Sequence, residues 1–389
     1  MEINAILIIT DLILYVLFAL SVSYLLIFAV ASIRRCDIIY QKSKKLYKIL
    51  VLFPAYREDR VIVNSIESFM NQEYPATHFD VIVISDNMTG ETNEKLRSLP
   101  IKVCEVSYQN STKAKALKAA MENIGDSVYD IVIVMDADNT AETNFLSQIN
   151  DAYHSGSRAM QAHRVAKNLN TDTAILDAIS EEINNSIFRK GHINLGVSSA
   201  LIGSGMAFDF SWFKENIRKI KNLPEERELE ILLLRQGIFI DYLQEVRVFD
   251  EKIQKDSAFF KQRRRWLASQ FDTLKTVLHE LPQALFSLNI SFADKILSWM
   301  LLPRVILLGL ISILALAISF INIVYALKWW ILLLVLFFTF ALAIPDYLVT
   351  KRTVRALKRV PILFTLMFLN LFRLKGVNKK WIPTEKNFK

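Results

Sequence analysis

Two carboxylates stand one residue apart at Asp136 and Asp138, directly after the apolar stretch Ile131–Met135. At the end of a strand, such a D-x-D can aim both side chains at one divalent cation. Hard carboxylate oxygens suit Mg²⁺ or Mn²⁺, ions that also hold diphosphates. Acidic residues end strands and cap helices for structural reasons too, so the pair gains weight only in company. The company is Lys113, the acidic run Glu225-Glu226-Arg227-Glu228-Leu229-Glu230, and the segment Gln262-Arg263-Arg264-Arg265-Trp266. A carboxylate can accept a proton, and Lys and Arg can neutralise phosphate oxygens, Arg in bidentate fashion. Each feature also has a plainer reading. The acidic run is a charged helix start with i,i+4 partners. The basic, aromatic segment is one face of a helix lying on a membrane. Gln161 reads as an ordinary strand residue and Gly203-Ser204-Gly205 as a turn. The five histidines show no close ligand spacing, which argues against a zinc centre.

The elements that must position these residues follow from the apolar runs. Lys48–Ala55, Phe79–Asp86, Ile101–Ser107 and Tyr129–Asp138 are short, β-branched and nearly continuous. Helical patterns separate them at Val61–Gln72, Glu91–Leu99 and Lys113–Asn123. This alternation predicts a mostly parallel sheet covered on both faces, a Rossmann-like α/β domain with ligands at the carboxyl ends of its strands. Those ends carry Tyr56, Asp86 and Asp136/Asp138. No GxGxxG and no GxxxxGK[ST] follows any of the strands, which excludes a dinucleotide fingerprint and a P-loop.

The remaining apolar sequence is of another kind. Leu12–Ser32, Val305–Leu327 and Trp329–Pro345 carry no charge and predict three membrane spans; Val360–Phe372 is shorter and predicts an interfacial or re-entrant helix. Leu274–Phe286 has helical spacing suited to the inner leaflet. Asp11, near the outer end of the first run, reads as an interfacial carboxylate. Lys and Arg cluster directly after the first run (34–48) and after the third (351–359), with only Lys328 between the second and third. The positive-inside rule places 34–300 and the C-terminus in the cytoplasm and the N-terminus outside. The predicted organisation is a membrane helix in 1–33, an α/β domain in 34–270, interfacial helices in 271–300, two membrane helices in 301–350 and a basic tail in 351–389. Two cysteines, 36 and 104, exclude a disulfide scaffold, and 52% hydrophobic residues exclude a disordered chain. Much of the formal charge of +8 lies beside the membrane, so nucleic acid is not needed to explain it.

Taken together, the motifs resemble those of family 2 glycosyltransferases with a GT-A fold, the membrane-integrated kind related to cellulose, chitin, hyaluronan and poly-N-acetylglucosamine synthases. The resemblance covers roughly residues 48–270. Pro54-Ala55-Tyr56-Arg57-Glu58 is similar to the family's P-A-[YH]-N-E beside the nucleotide base, and Asp86-Asn87 to its uridine-contacting D-N or D-D. Lys113 sits where the family has a Lys near the diphosphate. Asp136 and Asp138 match its metal-binding D-x-D. Gln262, Arg265 and Trp266 fit Q-x-x-R-W, which borders acceptor and diphosphate and is far more specific than a D-x-D. Lys380-Trp381-Ile382-Pro383-Thr384 resembles a W-x-x-T tail. Gly203 and Ser204 fall in a small-residue loop that lies beside the acceptor in the family. One departure stands out. Where the family has T-E-D or E-D-x-E-L-E, with an Asp as base, this chain places Glu226 on the Asp position, one methylene longer; Glu225 or Glu228 is the alternative counterpart.

The resemblance implies an inverting transfer of a sugar from a UDP-hexose or UDP-N-acetylhexosamine to a membrane-side acceptor, forming a β-linkage in polysaccharide synthesis. Glu226 would be the base, Mg²⁺ or Mn²⁺ on Asp138 and Asp136 the cofactor, and Trp266 a flat face for a sugar ring. The acceptor is a growing glycan or a lipid-linked one. Transfer of a single sugar to a polyprenyl-phosphate-linked or other lipid is the first alternative, and a catalytically inactive, nucleotide-binding membrane scaffold the second. The implied protein is integral to a bacterial inner membrane with a cytoplasmic catalytic domain. A homo-oligomer or export partner would make up the few spans available to wall a polymer channel.

Overall fold

Strand pairing in the computed structural model follows the apolar runs. It describes residues 2–34, 40–122, 124–126, 128–221 and 224–373. The predicted W-x-x-T tail, 380–384, lies outside them. In chain order the elements are α1 (Glu2–Ile33), β1 (Ile49–Tyr56), α2 (Ile62–Phe69), β2 (Phe79–Asp86), α3 (Gly90–Arg97), β3 (Lys102–Val106), α4 (Lys113–Glu122), β4 (Ile131–Val134), β5 (Thr140–Ala141), α5 (Phe145–His154), β6 (Ala159–Ala166) and α6 (Asp172–Asn185). After a π-helical turn, Ser186–Gly191, come α7 (His192–Asn194), β7 (Met206–Asp209), α8 (Phe210–Ile217), α9 (Glu225–Arg235), β8 (Ile240–Asp250) and α10 (Asp256–Val277). The last six are α11 (Leu281–Phe286), α12 (Ile290–Met300), α13 (Arg304–Ile321), α14 (Ile323–Ala343), α15 (Lys351–Leu357) and α16 (Val360–Leu371).

The strands form one eight-stranded sheet in the order β3-β2-β1-β4-β7-β6-β8-β5. β3, β2, β1 and β4 run parallel, and β6 runs parallel to β8; β7 is antiparallel to β4 and β6, and β5 to β8. β1 shows why its run is continuously apolar. Leu50 and Leu52 enter one core layer and Ile49, Val51 and Phe53 the other, all with no exposed surface. A strand buried on both faces needs apolar residues at every position. From β1 the chain goes to β2 and β3 on one side, then returns to β4 on the other. Such a reversal opens a crevice outside the carboxyl ends of β1 and β4.

Among the described residues three helices are long and apolar enough to cross a membrane: Ile6–Ile33 within α1, then α13 and α14. A third core joins them to the α/β domain. Phe18, Val22 and Leu25 of α1, Ile175, Ile179 and Ile183 of α6, and Leu307, Ile311 and Trp329 belong to it. At Gly191 a Cβ would stand 2.2 Å from the Phe28 carbonyl oxygen, so only glycine admits the first membrane helix this closely. Tyr24 of α1 donates to Asp294 of α12 at 2.9 Å, and His192 meets the same carboxylate at 3.0 Å.

Some sequence expectations need correcting. The run Val305–Leu327 is not one helix. Asn322 is extended (φ −158°) and its side chain accepts from the N–H groups of Val324 and Tyr325, ending α13 and capping α14. The third helix therefore starts at Ile323 rather than Trp329, and Lys328 lies inside it rather than in a loop. There Lys328 pairs with Asp11 of α1, which also accepts from the Trp329 indole at 2.8 Å. Leu274–Phe286 is likewise interrupted, by a 3₁₀ turn at Leu278–Glu280 between α10 and α11. The β4 strand stops at Val134, so Met135–Asp138 is loop. α16 has 12 residues, about 18 Å of helix, too short to cross a bilayer core. It nests on α13, with the Phe364 ring against Gly309.

Candidate active site

A cavity of about 260 Å³ opens where the topology requires it, at the carboxyl ends of β1, β2 and β4. Pro54, Ala55, Tyr56 and Glu58 come from the end of β1 and the turn after it, Asp86 from the end of β2, and Asp136 and Asp138 from the loop after β4. Lys113, the first residue of α4, Gly203 and Glu226 close one side; Gln262, Arg265 and Trp266 of α10 close another.

Two backbone positions at this rim are strained. Arg57 and Asn87 follow adjacent strands, and both hold left-handed φ values, 55° and 54°. Asn tolerates this region and Arg does so poorly. The Arg57 N–H donates to the Asp86 carbonyl at 3.2 Å, and the Asn87 amide donates to the Asp86 carboxylate at 2.7 Å. The strain thus ties two strand exits together around a buried Asp86.

The carboxylates of the D-x-D differ in surroundings. Asp136 accepts from Lys113 Nζ at 2.5 Å and has Arg164 at 4.0 Å on its other oxygen. Asp138 is buried; the Asn139 amide, turned with its nitrogen toward the acids, donates to it at 2.9 Å and to Asp250 at 3.2 Å. Lys113 also donates to the Gly203 carbonyl at 2.5 Å and lies 3.4 Å from Glu225. Burial pulls the Lys113 ammonium down, but Asp136 and Glu225 outweigh it and hold it charged above the ordinary lysine range.

Glu226 faces Gly203 of the glycine loop. A Cβ on Gly203, whose φ of +93° only glycine adopts freely, would lie 3.8 Å from the Glu226 carboxyl carbon and 3.9 Å from Lys113 Nζ. Burial, with the Glu225 charge beside it, pushes the Glu226 carboxyl up to about 8 against the pull of Lys113. The two alternatives are placed differently. Glu225 is turned onto Lys113 with 3% of its side chain exposed, and Glu228 accepts from the Lys221 N–H at 2.8 Å without lining the cavity.

Ser204 does not line the cavity, contrary to expectation. It is fully buried; its Oγ accepts from the Asp136 N–H at 2.9 Å and donates to the Asn139 amide oxygen at 2.8 Å. It fixes the loop that carries the carboxylates instead of facing an acceptor. Gln161 is also more than a strand residue: it accepts from the Ile202 N–H and donates to the Ser204 carbonyl, both at 2.9 Å.

Sequence reading missed a buried charged wall. Arg164 of β6 donates to Glu181 of α6 at 2.8 Å, and Lys252 pairs with Asp250 at 2.9 Å and Glu181 at 3.6 Å. Burial pushes Glu181 up, but Arg164, Lys252 and Arg189 together hold its carboxyl down at about 2. The available signal was charge within apolar periodicity: Arg164 inside a strand, and Asp177 and Glu181 four apart on a helix that also carries Ile175, Leu176, Ile179 and Ile183.

The donor set suits a divalent cation shared with a ligand. Asp136 and Asp138 supply hard oxygens, and among the described residues no group of three or more acidic, His or Cys side chains could hold an ion alone. Mg²⁺ is commonly held by one or two carboxylates, with phosphates and water completing its shell.

Comparison with known proteins adds the following. The family model described as Glycosyl transferase family group 2 matches residues 131–342. "Probable glycosyltransferase YdaM" of Bacillus subtilis (strain 168) is 31% identical over 107 residues, 26% of this chain and 25% of that protein. The dolichyl N-acetyl-alpha-D-glucosaminyl phosphate 3-beta-D-2,3-diacetamido-2,3-dideoxy-beta-D-glucuronosyltransferase of Methanococcus voltae is 23% identical over 107 residues, 27% of this chain and 33% of that protein. The match thus spans a quarter to a third of these curated relatives. Among solved structures, the mannosyltransferase PcManGT from Pyrobaculum calidifontis in complex with GDP-Man and Mn²⁺ superposes with a TM-score of 0.48 at 14% identity, covering 82% of this chain and 98% of that one. TarS 1–349 from S. aureus in complex with UDP-GlcNAc gives 0.43 at 13%, covering 85% and 90%.

Proposed function

The chain belongs to glycosyl transferase family group 2, and from that premise we propose that it transfers a sugar from a nucleotide diphosphate donor to an acceptor at the membrane, with inversion. One observation carries the reading. A carboxylate pair, a charged lysine, a carboxyl held near pH 8 and the Arg265/Trp266 pair come from four distant stretches of chain and meet in a single cavity. Such a set can hold a diphosphate, take a proton and seat a sugar ring.

The chemistry divides among the residues as follows. Asp86, Tyr56 and the β1 turn form the nucleoside end. Asp136 and Asp138 would hold Mg²⁺ or Mn²⁺, which when bound neutralises charge building on the departing diphosphate. Lys113 and Arg265 add fixed positive charge at the same place. Glu226 takes the proton of the acceptor hydroxyl as its oxygen bonds to the anomeric carbon. The bond from that carbon to the diphosphate oxygen breaks, and its electron pair leaves with the nucleotide. Attack opposite the leaving group turns an α-linked UDP-hexose or UDP-N-acetylhexosamine into a β-glycoside. Trp266 presents an apolar face to the acceptor ring.

The basic residues at 34–48 and 351–359 support a cytoplasmic α/β domain. The three membrane-length helices among the described residues are few to wall a polymer channel, which favours addition of a single sugar to a lipid-linked acceptor over processive synthesis unless chains associate. The Methanococcus voltae relative carries a lipid-linked acceptor in its name, and supports the same choice. The test is Glu226→Gln. It should bind UDP as the native chain does and lower kcat by roughly 10²–10⁴. Full turnover by this variant would remove Glu226 from the reaction.

A further inference from the structure

Asn139 directly follows the carboxylate pair and has no exposed surface. A buried primary amide has two donor hydrogens and an acceptor oxygen, and each needs a partner. Here every one of them is used. The oxygen accepts from the Ser204 hydroxyl at 2.8 Å, and the nitrogen donates to Asp138 at 2.9 Å and to Asp250 at 3.2 Å. Ser204 Oγ in turn accepts from the Asp136 N–H at 2.9 Å. One buried chain of hydrogen bonds therefore runs from the backbone of the first carboxylate residue to the side chain of the second.

That chain is fixed at both ends. On the side of the glycine loop, Gln161 of β6 is fully buried and holds the Ile202 N–H and the Ser204 carbonyl, both at 2.9 Å. A Cβ on Gly205 would stand 2.9 Å from Val248 Cγ2 and 3.1 Å from Ala162 Cβ, so the loop lies directly on β6 and β8. On the other side Asp250, the last residue of β8, pairs with Lys252 at 2.9 Å and has Arg164 at 3.9 Å. The main chain of Asp138 is held separately, its carbonyl accepting from Lys167 Nζ at 2.6 Å. An amide suits the place between Asp138 and Asp250. It gives each like-charged carboxylate a hydrogen bond, and it brings no positive charge that would compete with a cation for Asp138. Carboxylates that ligate a metal are themselves hydrogen-bonded, and loss of such an outer bond costs about 10–100-fold in metal affinity.

We propose that Asn139 is a positioning residue for the divalent cation: bridging Ser204, Asp138 and Asp250, it aims the Asp138 carboxylate into the cavity and so sets how tightly Mn²⁺ or Mg²⁺ is held beside the nucleotide. It acts through Asp138 and does not touch the cation. The inference rests on the glycosyl-transfer reading and deepens its metal site. The test is Mn²⁺ binding to the full chain in neutral detergent with saturating UDP, followed by electron paramagnetic resonance. UDP binding is measured separately by calorimetry with the metal chelated. Asn139→Leu fills the same space, donates nothing and admits no water. It should weaken Mn²⁺ binding roughly 10–100-fold and leave metal-free UDP binding as in the native chain. Ser204→Ala, which cuts the chain one link earlier, should shift Mn²⁺ affinity in the same direction by a smaller factor. Native Mn²⁺ affinity in Asn139→Leu overturns the proposal. So does an equal loss of metal-free UDP binding, which would mark a general loss of structure. Should Asn139→Leu fail to fold, Ser204→Ala decides by the same two measurements. A native chain that binds UDP but no Mn²⁺ sinks this inference alone, whereas a native chain that binds no UDP sinks the glycosyl-transfer reading itself.

Discussion

Glu226 occupies a position where the usual side chain is shorter by a methylene, and its setting offers a reason why a Glu can serve. Burial and the neighbouring Glu225 raise it to about 8, so in the donor-free protein near neutral pH most of it is protonated. A base must be deprotonated to act. Hence kcat/KM, which reports the free enzyme, should rise about tenfold per pH unit below 8 and level off above. A profile flat from pH 6 to 9 would exclude Glu226 as the base. Arg57 carries a second testable anomaly. Its left-handed backbone suits Asn, the residue the related motif has there, so Arg57→Asn should raise stability by about 0.5–1 kcal/mol, read as an increased Tm. An unchanged or lower Tm would show that the Arg57–Tyr56 ring contact, at 5.3 Å, matters more than the strain.

Among the elements, α6 works hardest. Ile175, Ile179 and Ile183 pack on the membrane helices, while Asp177 and Glu181, four residues apart, line the cavity. Glu181 answers three buried cations, so Glu181→Gln should cost about 3–5 kcal/mol by leaving them uncompensated. Chemical denaturation measures this, and a loss under 1 kcal/mol would mean the wall is solvated rather than buried. The parallel strands were legible in the sequence because β1, β2 and β4 are buried on both faces and read as nearly continuous apolar runs. The cavity's charged wall was not. Arg164, Glu181 and Lys252 are distant in sequence, and nothing local distinguishes a buried ion pair from surface charge. Ser204 failed for a related reason: a small polar residue beside a glycine looks alike whether it faces a ligand or holds a loop from behind. The break at Asn322 was missed because a single polar residue in an uncharged run barely alters hydropathy, yet its side chain caps a helix.

At the scale of the whole molecule, the membrane helices and the catalytic domain are built as one body. α1 docks through Gly191 and the Tyr24–Asp294–His192 cluster. Toward its other end, Asp11 meets Lys328 of α14. Placing one charge in an apolar surrounding without the other is costly. Asp11→Ala and Lys328→Ala should therefore each destabilise the fold by on the order of 2 kcal/mol, and exchanging the two residues should recover most of it. Failure of the exchange to recover Tm would separate the two charges. The arrangement sets Asp86, the Asp136/Asp138 pair, Glu226 and the Arg265/Trp266 pair along one cavity. The most direct measurement of that account is product analysis after incubating the native chain and Asp138→Asn with a panel of UDP-sugars, Mg²⁺ or Mn²⁺, and a polyprenyl-phosphate-linked sugar as acceptor. The account predicts release of UDP matched by one β-linked glycolipid from the native chain, and no product from Asp138→Asn. No transfer from any nucleotide sugar by the native chain, or undiminished transfer by Asp138→Asn, would contradict it.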